Sequence, residues 1–165
     1  MDLTNIVTVE LDESSIDSAI SYCNSNPIFD ELSDILMNMK ADISTAAQEG
    51  VKLIAEENKA SQELFIMING SIVTGTLINS IIISQLSAYS YTIFPDVDYA
   101  WYVEKGRGEV RPVSANALHF FVGGSEVFTQ YSGPAQPKPF VEPAFNQTEQ
   151  KAVDIIDEAI KNVID

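Results

Sequence analysis

Apolar residues spaced three and four apart dominate the first third of the chain. Ile28, Leu32, Ile35 with Leu36, Met39, Ile43, Ala46 with Ala47, and Ile54 fall on one helical face, while Asp30, Asp34, Asp42, Glu49 and Glu56 lie off it. Asn26-Pro27 supplies a start, a capping side chain followed by a proline whose missing N–H costs nothing in a first helical turn. The stripe continues to Phe65 and Ile68, and Asn69-Gly70 supplies a stop. The pattern predicts an amphipathic helix over 27–68, about 60 Å long at ~1.5 Å per residue. A small domain does not cover that length. The expectation is therefore a kink near Gly50, a break between Glu57 and Ser61, or burial of part of the stripe on neighbouring subunits.

The pattern changes on either side of this helix. Residues 1–25 read as an N-terminal extension, with a strand over 6–11 and a short helix carrying Ile16, Ala19, Ile20 and Cys23, capped by Ser14 or Ser15. Residues 26–165 read as one domain. Thr74 is placed to cap a single turn ending near Ile81. The β-branched and aromatic run 82–94, in which Tyr89, Tyr91 and Ile93 alternate with Ser90 and Thr92, predicts a strand ended by Pro95. Tyr99, Tyr102 and Val103 predict a short helical turn closed by Gly106. Segments 117–122 and 127–131 predict a hairpin around a four-residue loop, 123–126. Prolines 134, 137, 139 and 143 predict a stiff extended arm that delivers Phe140 to a specific place. A final helix opens at Asn146 or Thr148, with Val153, Ile156, Ile160 and Val163 or Ile164 on its inner face. Helices, then sheet, then helix, with no βαβ alternation, give an α+β fold: an antiparallel sheet packed against a long N-terminal amphipathic helix and a C-terminal helix.

Composition narrows the functional classes. The chain has 165 residues, 45% of them hydrophobic, enough for one continuous core. Its single cysteine, Cys23, cannot close an internal disulfide. No apolar run is long enough to span a bilayer, and the first residues lack the basic start of a signal peptide, so a cytoplasmic protein with no membrane partner is expected. A net charge of −15 argues against any surface that clamps phosphates. Lys105, Arg107 and Arg111 form the one local cluster of positive charge. They either meet an acidic surface on another copy or lie in a solvated loop with an arginine paired to Glu104 or Glu109.

No catalytic set can be assembled from the sequence, and no cofactor is expected. His119 is the only histidine and stands between Leu118 and Phe120 in a predicted strand, facing away from both. Asp96 and Asp98 lack the oxygen ligands and glycine of a calcium loop. Gly106-Arg107-Gly108 lacks the context of a phosphate-binding loop. These features point to architecture rather than to an enzyme.

Three blocks resemble a family of tailed-bacteriophage neck proteins, the head–tail joining, tail-completion or minor tail components. Thr74-Gly75-Thr76-Leu77 through Ser80-Ile81 resembles the family's Thr-Gly-x-Leu-x-x-Ser-Ile segment. Tyr99-Ala100 and Tyr102-Val103-Glu104-x-Gly106 resembles its tyrosine-rich Glu-x-Gly block. Pro139-Phe140-Val141-x-Pro143-Ala144 resembles its Pro-Phe-x-x-Pro-Ala arm. The match covers roughly residues 28 to 164. Ile78 and Asn79 stand where the family is often basic, and Ile72 replaces a proline.

The resemblance implies a structural virion subunit of a phage or prophage. It would form a ring, a hexamer, assemble in the host cytoplasm, and contact other neck, connector or tail-tube proteins. DNA would pass through the lumen without specific contact, past the multiplied acidic charge. Lys105, Arg107, Arg111 and Phe140 are the expected subunit-interface residues. The alternatives from other classes are a cytoplasmic binding module acting through its sheet edge and a small enzyme.

Overall fold

A computed structural model describes residues 3–71, 75–122 and 124–164. The chain begins with β1 (Asn5–Thr8) and α1 (Ser14–Asn24), then a 3-10 turn at Pro27–Phe29 and the long helix α2 (Asp30–Ile68). A single turn, α3 (Thr76–Asn79), precedes β2 (Ile81–Ser87) and β3 (Ser90–Pro95). The short helix α4 (Ala100–Lys105), the strands β4 (Leu118–Val122) and β5 (Ser125–Thr129), and the closing helix α5 (Val141–Ile164) follow. The fold is α+β, with α2 and α5 packed on an antiparallel sheet.

Helix α2 runs unbroken for 39 residues, and neither expected interruption occurs. Gly50 has a packing role instead. A Cβ added there would lie 2.6 Å from Ile156 Cδ1 and 3.5 Å from Ala159 Cβ, so the missing side chain lets α5 come close. Within the polar stretch that reads as a break, Asn58 and Ser61 are buried. Asn58 is 1% exposed; its Oδ1 accepts from Asn5 Nδ2 at 3.1 Å and from Gln62 Nε2 at 2.9 Å, and its own amide donates to Thr148 Oγ1 at 3.3 Å. Thr148 in turn donates to the Ala144 carbonyl at 2.8 Å. This polar layer joins β1, α2 and α5 at the level where the apolar stripe lapses.

Both ends of α2 follow from local chemistry. Asn26 does not cap it; its amide turns back to the Tyr22 carbonyl at 3.0 Å, and the helix proper starts at Asp30, with Asp30 and Glu31 at the positive end of its dipole. At the other end, the N–H groups of Gly70 and Ser71 donate to the carbonyls of Met67 and Ile66, and Gly70 takes φ +60°. That is the double-bonded glycine stop anticipated at Asn69-Gly70. Helix α1 lies against the first half of α2, held by Ser33 Oγ to Asn24 Oδ1 at 2.6 Å and by Lys40, 2.5 Å from Asp17 and 2.9 Å from Glu13. The Asp17 carboxylate first, and Glu13 second, hold Lys40 above the usual lysine range.

The sheet order is β1-β3-β2. Residues 82–94, read from the sequence as one strand, are two strands. They turn at Ala88-Tyr89, where the Tyr89 N–H meets Ser87 Oγ at 3.3 Å, and the register slips between Gln85 and Ser87. No glycine, proline or asparagine marks that turn. Strand β1 starts one residue earlier than expected and pairs with β3, Val7 opposite Tyr91, so the N-terminal segment completes the sheet rather than standing apart.

Ala55, Ile66, Leu77, Ile81, Ile93, Ala100, Phe140 and Val141 form the buried core. Helix α5 begins at Val141, ahead of the expected Asn146 or Thr148, and turns Val153 outward at 69% exposure; Ala152, Ile155, Ile156, Ala159 and Ile160 form its half-buried face. The Ile164 side chain lies outside the described residues.

Replacing Asn58 with leucine removes every bond of the polar layer's central amide and leaves the Gln62 and Asn5 amides short of an acceptor. The expected loss is about 2 kcal/mol, read as a lower urea midpoint at unchanged slope. A loss below about 0.5 kcal/mol would show that the layer does not stabilise the fold.

Candidate functional site

Parts of the three blocks singled out by the sequence, with Leu77, Ala100, Phe140 and Val141 in one core, meet at one junction. Helix α4 ends at Gly106, whose φ of +72° and ψ of −179° belong to a region essentially reserved for glycine. A Cβ there would lie 2.7 Å from the Ala135 carbonyl oxygen and 2.9 Å from the Pro137 nitrogen. The proline arm passes over that bare position. It is pinned by Arg107 and Ala135, which exchange both backbone bonds at 3.0 and 2.9 Å, and by Lys138 N–H to the Val103 carbonyl at 2.8 Å.

The arm's end is fixed by Glu104, which is 1% exposed. Its Oε2 accepts the N–H groups of Phe140 at 2.7 Å and Val141 at 3.0 Å, and Oε1 accepts that of Glu142 at 3.3 Å. A helix starting at Val141 leaves four orphan donors, those of residues 140 to 143. Glu104 takes three of them, and the fourth position is Pro143, which has no N–H. One carboxylate thus accounts for the whole N-terminus of α5 and sits at the positive end of its dipole. Lys105 Nζ lies 3.8 Å from Glu104 and 3.1 Å from Glu142.

The first block closes the opposite side of this junction. Gly75 takes φ +76° ahead of α3, and Leu77 is buried. Ser80 donates its hydroxyl to the Leu77 carbonyl at 2.7 Å, and its own carbonyl accepts the Asp96 N–H at 2.9 Å. Thr74, expected as a cap, lies outside the described residues. Asn69 Nδ2 reaches the Pro139 carbonyl at 2.7 Å, tying the end of α2 to the arm. Ala100 is buried, while Tyr99 and Tyr102 are exposed at 43% and 55%.

Phe140 requires a correction. It is fully buried in the core of its own chain and has no surface to offer a neighbouring subunit. The basic cluster does reach solvent. Arg111 is paired locally with Glu109 at 3.2 Å and lies 5.1 Å over the Tyr131 ring. Arg107 donates to Ser132 Oγ at 2.6 Å and to the Gly108 carbonyl at 3.3 Å, with no carboxylate in ion-pair distance among the described residues.

Between the pinned residues 107 and 135 the chain leaves the domain as the β4–β5 hairpin. Val122 pairs with Ser125 rather than with Val127, as the expected four-residue loop requires, so the register moves by two. Gly124 takes φ +84° there; Gly123 lies outside the described residues. His119 then faces Phe128, its ring stacked at 4.6 Å and 7°, with Phe121 at 5.4 Å and Glu126 Oε1 2.8 Å from Nε2. Phe121 and Phe128 on this face are 67% and 64% exposed. Sequence reading missed this aromatic face. The signal that finds it is the Gly-Gly pair taken as a two-residue turn, which sets His119 opposite Phe128.

Among the described residues no three His, Cys, Asp or Glu side chains are grouped to hold a metal ion, and no helix is long and apolar enough to cross a membrane. Asp96 and Asp98 border an open cleft of 290 Å³ with Thr4 and Trp101, and a groove of 530 Å³ between α2 and α5 is rimmed by Glu56, Glu57 and Glu158. Comparison of the chain with protein-family models, curated proteins and solved structures gives no match.

Two substitutions test the junction by thermal or urea unfolding. Glu104→Ala strips three backbone donors of their acceptor, and about 3 kcal/mol of stability should be lost; Glu104→Gln, which keeps one acceptor oxygen, should lose less. Equal stability of all three proteins would remove the cap from the account. Gly106→Ala forces a Cβ against the arm at a glycine-only backbone angle and should cost about 2–3 kcal/mol; a neutral effect would mean that the arm is free to move away.

Proposed function

We propose that the chain is a structural neck subunit of a tailed phage or prophage, a ring-forming protein that joins or completes the head–tail interface around the DNA channel. The observation that carries this reading is the apolar surface the fold leaves uncovered. On the first half of α2, Leu32, Ile35 and Met39 are 44%, 59% and 38% exposed, with Ile28 just before them at 92%. A stripe of this kind on a helix that the domain covers only in part is what a subunit presents to a neighbour. The three sequence blocks support the same reading, because they converge on one capped junction whose role is to hold a shape.

The chain works by assembly rather than by chemistry on this reading. A net charge of −15 per copy, repeated around a ring, keeps DNA from adhering as it passes. Partners are other copies, six to a ring, and the connector and tail-tube proteins on either side.

Light scattering or native mass spectrometry over a range of concentration and salt tests the reading. A species of about six copies, or a monomer that closes into one as concentration rises, is expected. A monomer under every condition would contradict self-assembly and transfer the reading to a binding module that uses the open sheet edges, β1 and β2.

A further inference from the structure

We infer that the contact between copies is made head to tail, with the aromatic face of the β4–β5 hairpin of one copy seated on the exposed stripe of the first half of α2 of the next. This placement rests on the ring reading and says which surfaces close the ring.

The two faces are unlike each other and lie on different elements. A pair of different surfaces, each lacking cover in its own chain, is the requirement for a heterologous contact, which closes into a ring when the rotation allows. The hairpin needs such cover. A lone two-stranded ribbon is marginal in water, and here Phe121 and Phe128 stand more than three-fifths exposed on one face. The dimensions agree as well. From Ile28 to Met39 the stripe rises about 16 Å at ~1.5 Å per residue, and a five-residue strand spans about 17 Å at ~3.4 Å per residue.

Charge selects the partner. At the hairpin's base Lys105 is paired with Glu104 and Glu142 and Arg111 with Glu109, which leaves Arg107 and Lys138 as the cations without a carboxylate among the described residues. The stripe is bordered by Glu31 and Asp42, both exposed and neither in an ion pair among the described residues. Arg107, with no carboxylate of its own, has on a second copy the acidic neighbour its own chain does not supply. A nucleic acid could not satisfy the acidic side, and a third protein would have to reproduce both faces.

The test uses two full-length variants. Phe121→Asp with Phe128→Asp disables the hairpin side, and Leu32→Asp with Ile35→Asp disables the helix side; all four positions are exposed, and circular dichroism confirms that each variant is folded. Each variant alone should be monomeric by native mass. Mixed, they should give a 1:1 dimer and nothing larger, since one intact hairpin and one intact stripe remain between them. As a second measurement, Arg107→Glu should weaken wild-type assembly, and Glu31→Lys with Asp42→Lys on the partner should restore it.

If wild type and both variants all assemble alike, the ring closes elsewhere, and this inference falls while the ring reading stands. Variants that stay monomeric when mixed would also overturn it, since the two faces would not be each other's partners. A wild-type chain that never assembles would overturn the ring reading and this inference together.

Discussion

The Glu104 carboxylate, buried between α4 and the start of α5, is the interaction on which the rest of the structure depends. A buried charge costs several kcal/mol unless it is fully bonded. Here three backbone donors, the dipole of a 24-residue helix and the nearby Lys105 offset that cost together. The bond fixes where α5 begins and therefore where Phe140 enters the core. Beside it, the two backbone bonds between Arg107 and Ala135 close the base of the segment that carries the hairpin.

The long helix is held by a second arrangement, one of close approach and buried polarity. Gly50 admits Ile156 and Ala159 where a side chain would hold α5 away. A glycine inside a helix costs roughly 1 kcal/mol of propensity, which the closer packing has to offset. Next to it the Asn5–Asn58–Thr148 layer replaces apolar contact with hydrogen bonds that only one register of the three elements satisfies. These contacts cover the inner face of the second half of α2, while Leu53, Leu64 and Met67 stay on its exposed side. Along its first half α1 lies on one side and Ser44 meets the Tyr89 hydroxyl at 2.6 Å, while the outer stripe stays in water.

Much of this fold is legible in the sequence. Three-and-four spacing locates α2, Gly70 ends it, and the absence of βαβ alternation gives the α+β class. The failures have physical causes. The β2–β3 turn lacks glycine, proline and asparagine, and a serine hydroxyl supplies the turn's bond. The start of α5 is hidden because its cap lies 36 residues earlier in the chain, in Glu104, and no local pattern reports a cap at that distance. The segment from Glu57 to Ser61 reads as an interruption because spacing alone cannot distinguish a polar residue in water from one, such as Asn58, bonded inside. For the candidate surfaces, the basic cluster and the tyrosine block are visible as composition. Whether a given aromatic is core or surface is decided by tertiary packing, which is why Phe140 proves to be core and Phe121 and Phe128 prove to be surface.

On the proposed ring reading, the domain is complete in its core and other copies cover the α2 stripe and the hairpin face. Hydrogen–deuterium exchange of the unmodified protein, compared between dilute and concentrated solution, tests it most directly. The account predicts that slowed exchange on concentration appears in two segments, 28–42 and 118–129, while the Glu104–Phe140 junction is equally protected in both states. Exchange unchanged with concentration, or slowed only along the outer edges of the three-stranded sheet, would contradict it.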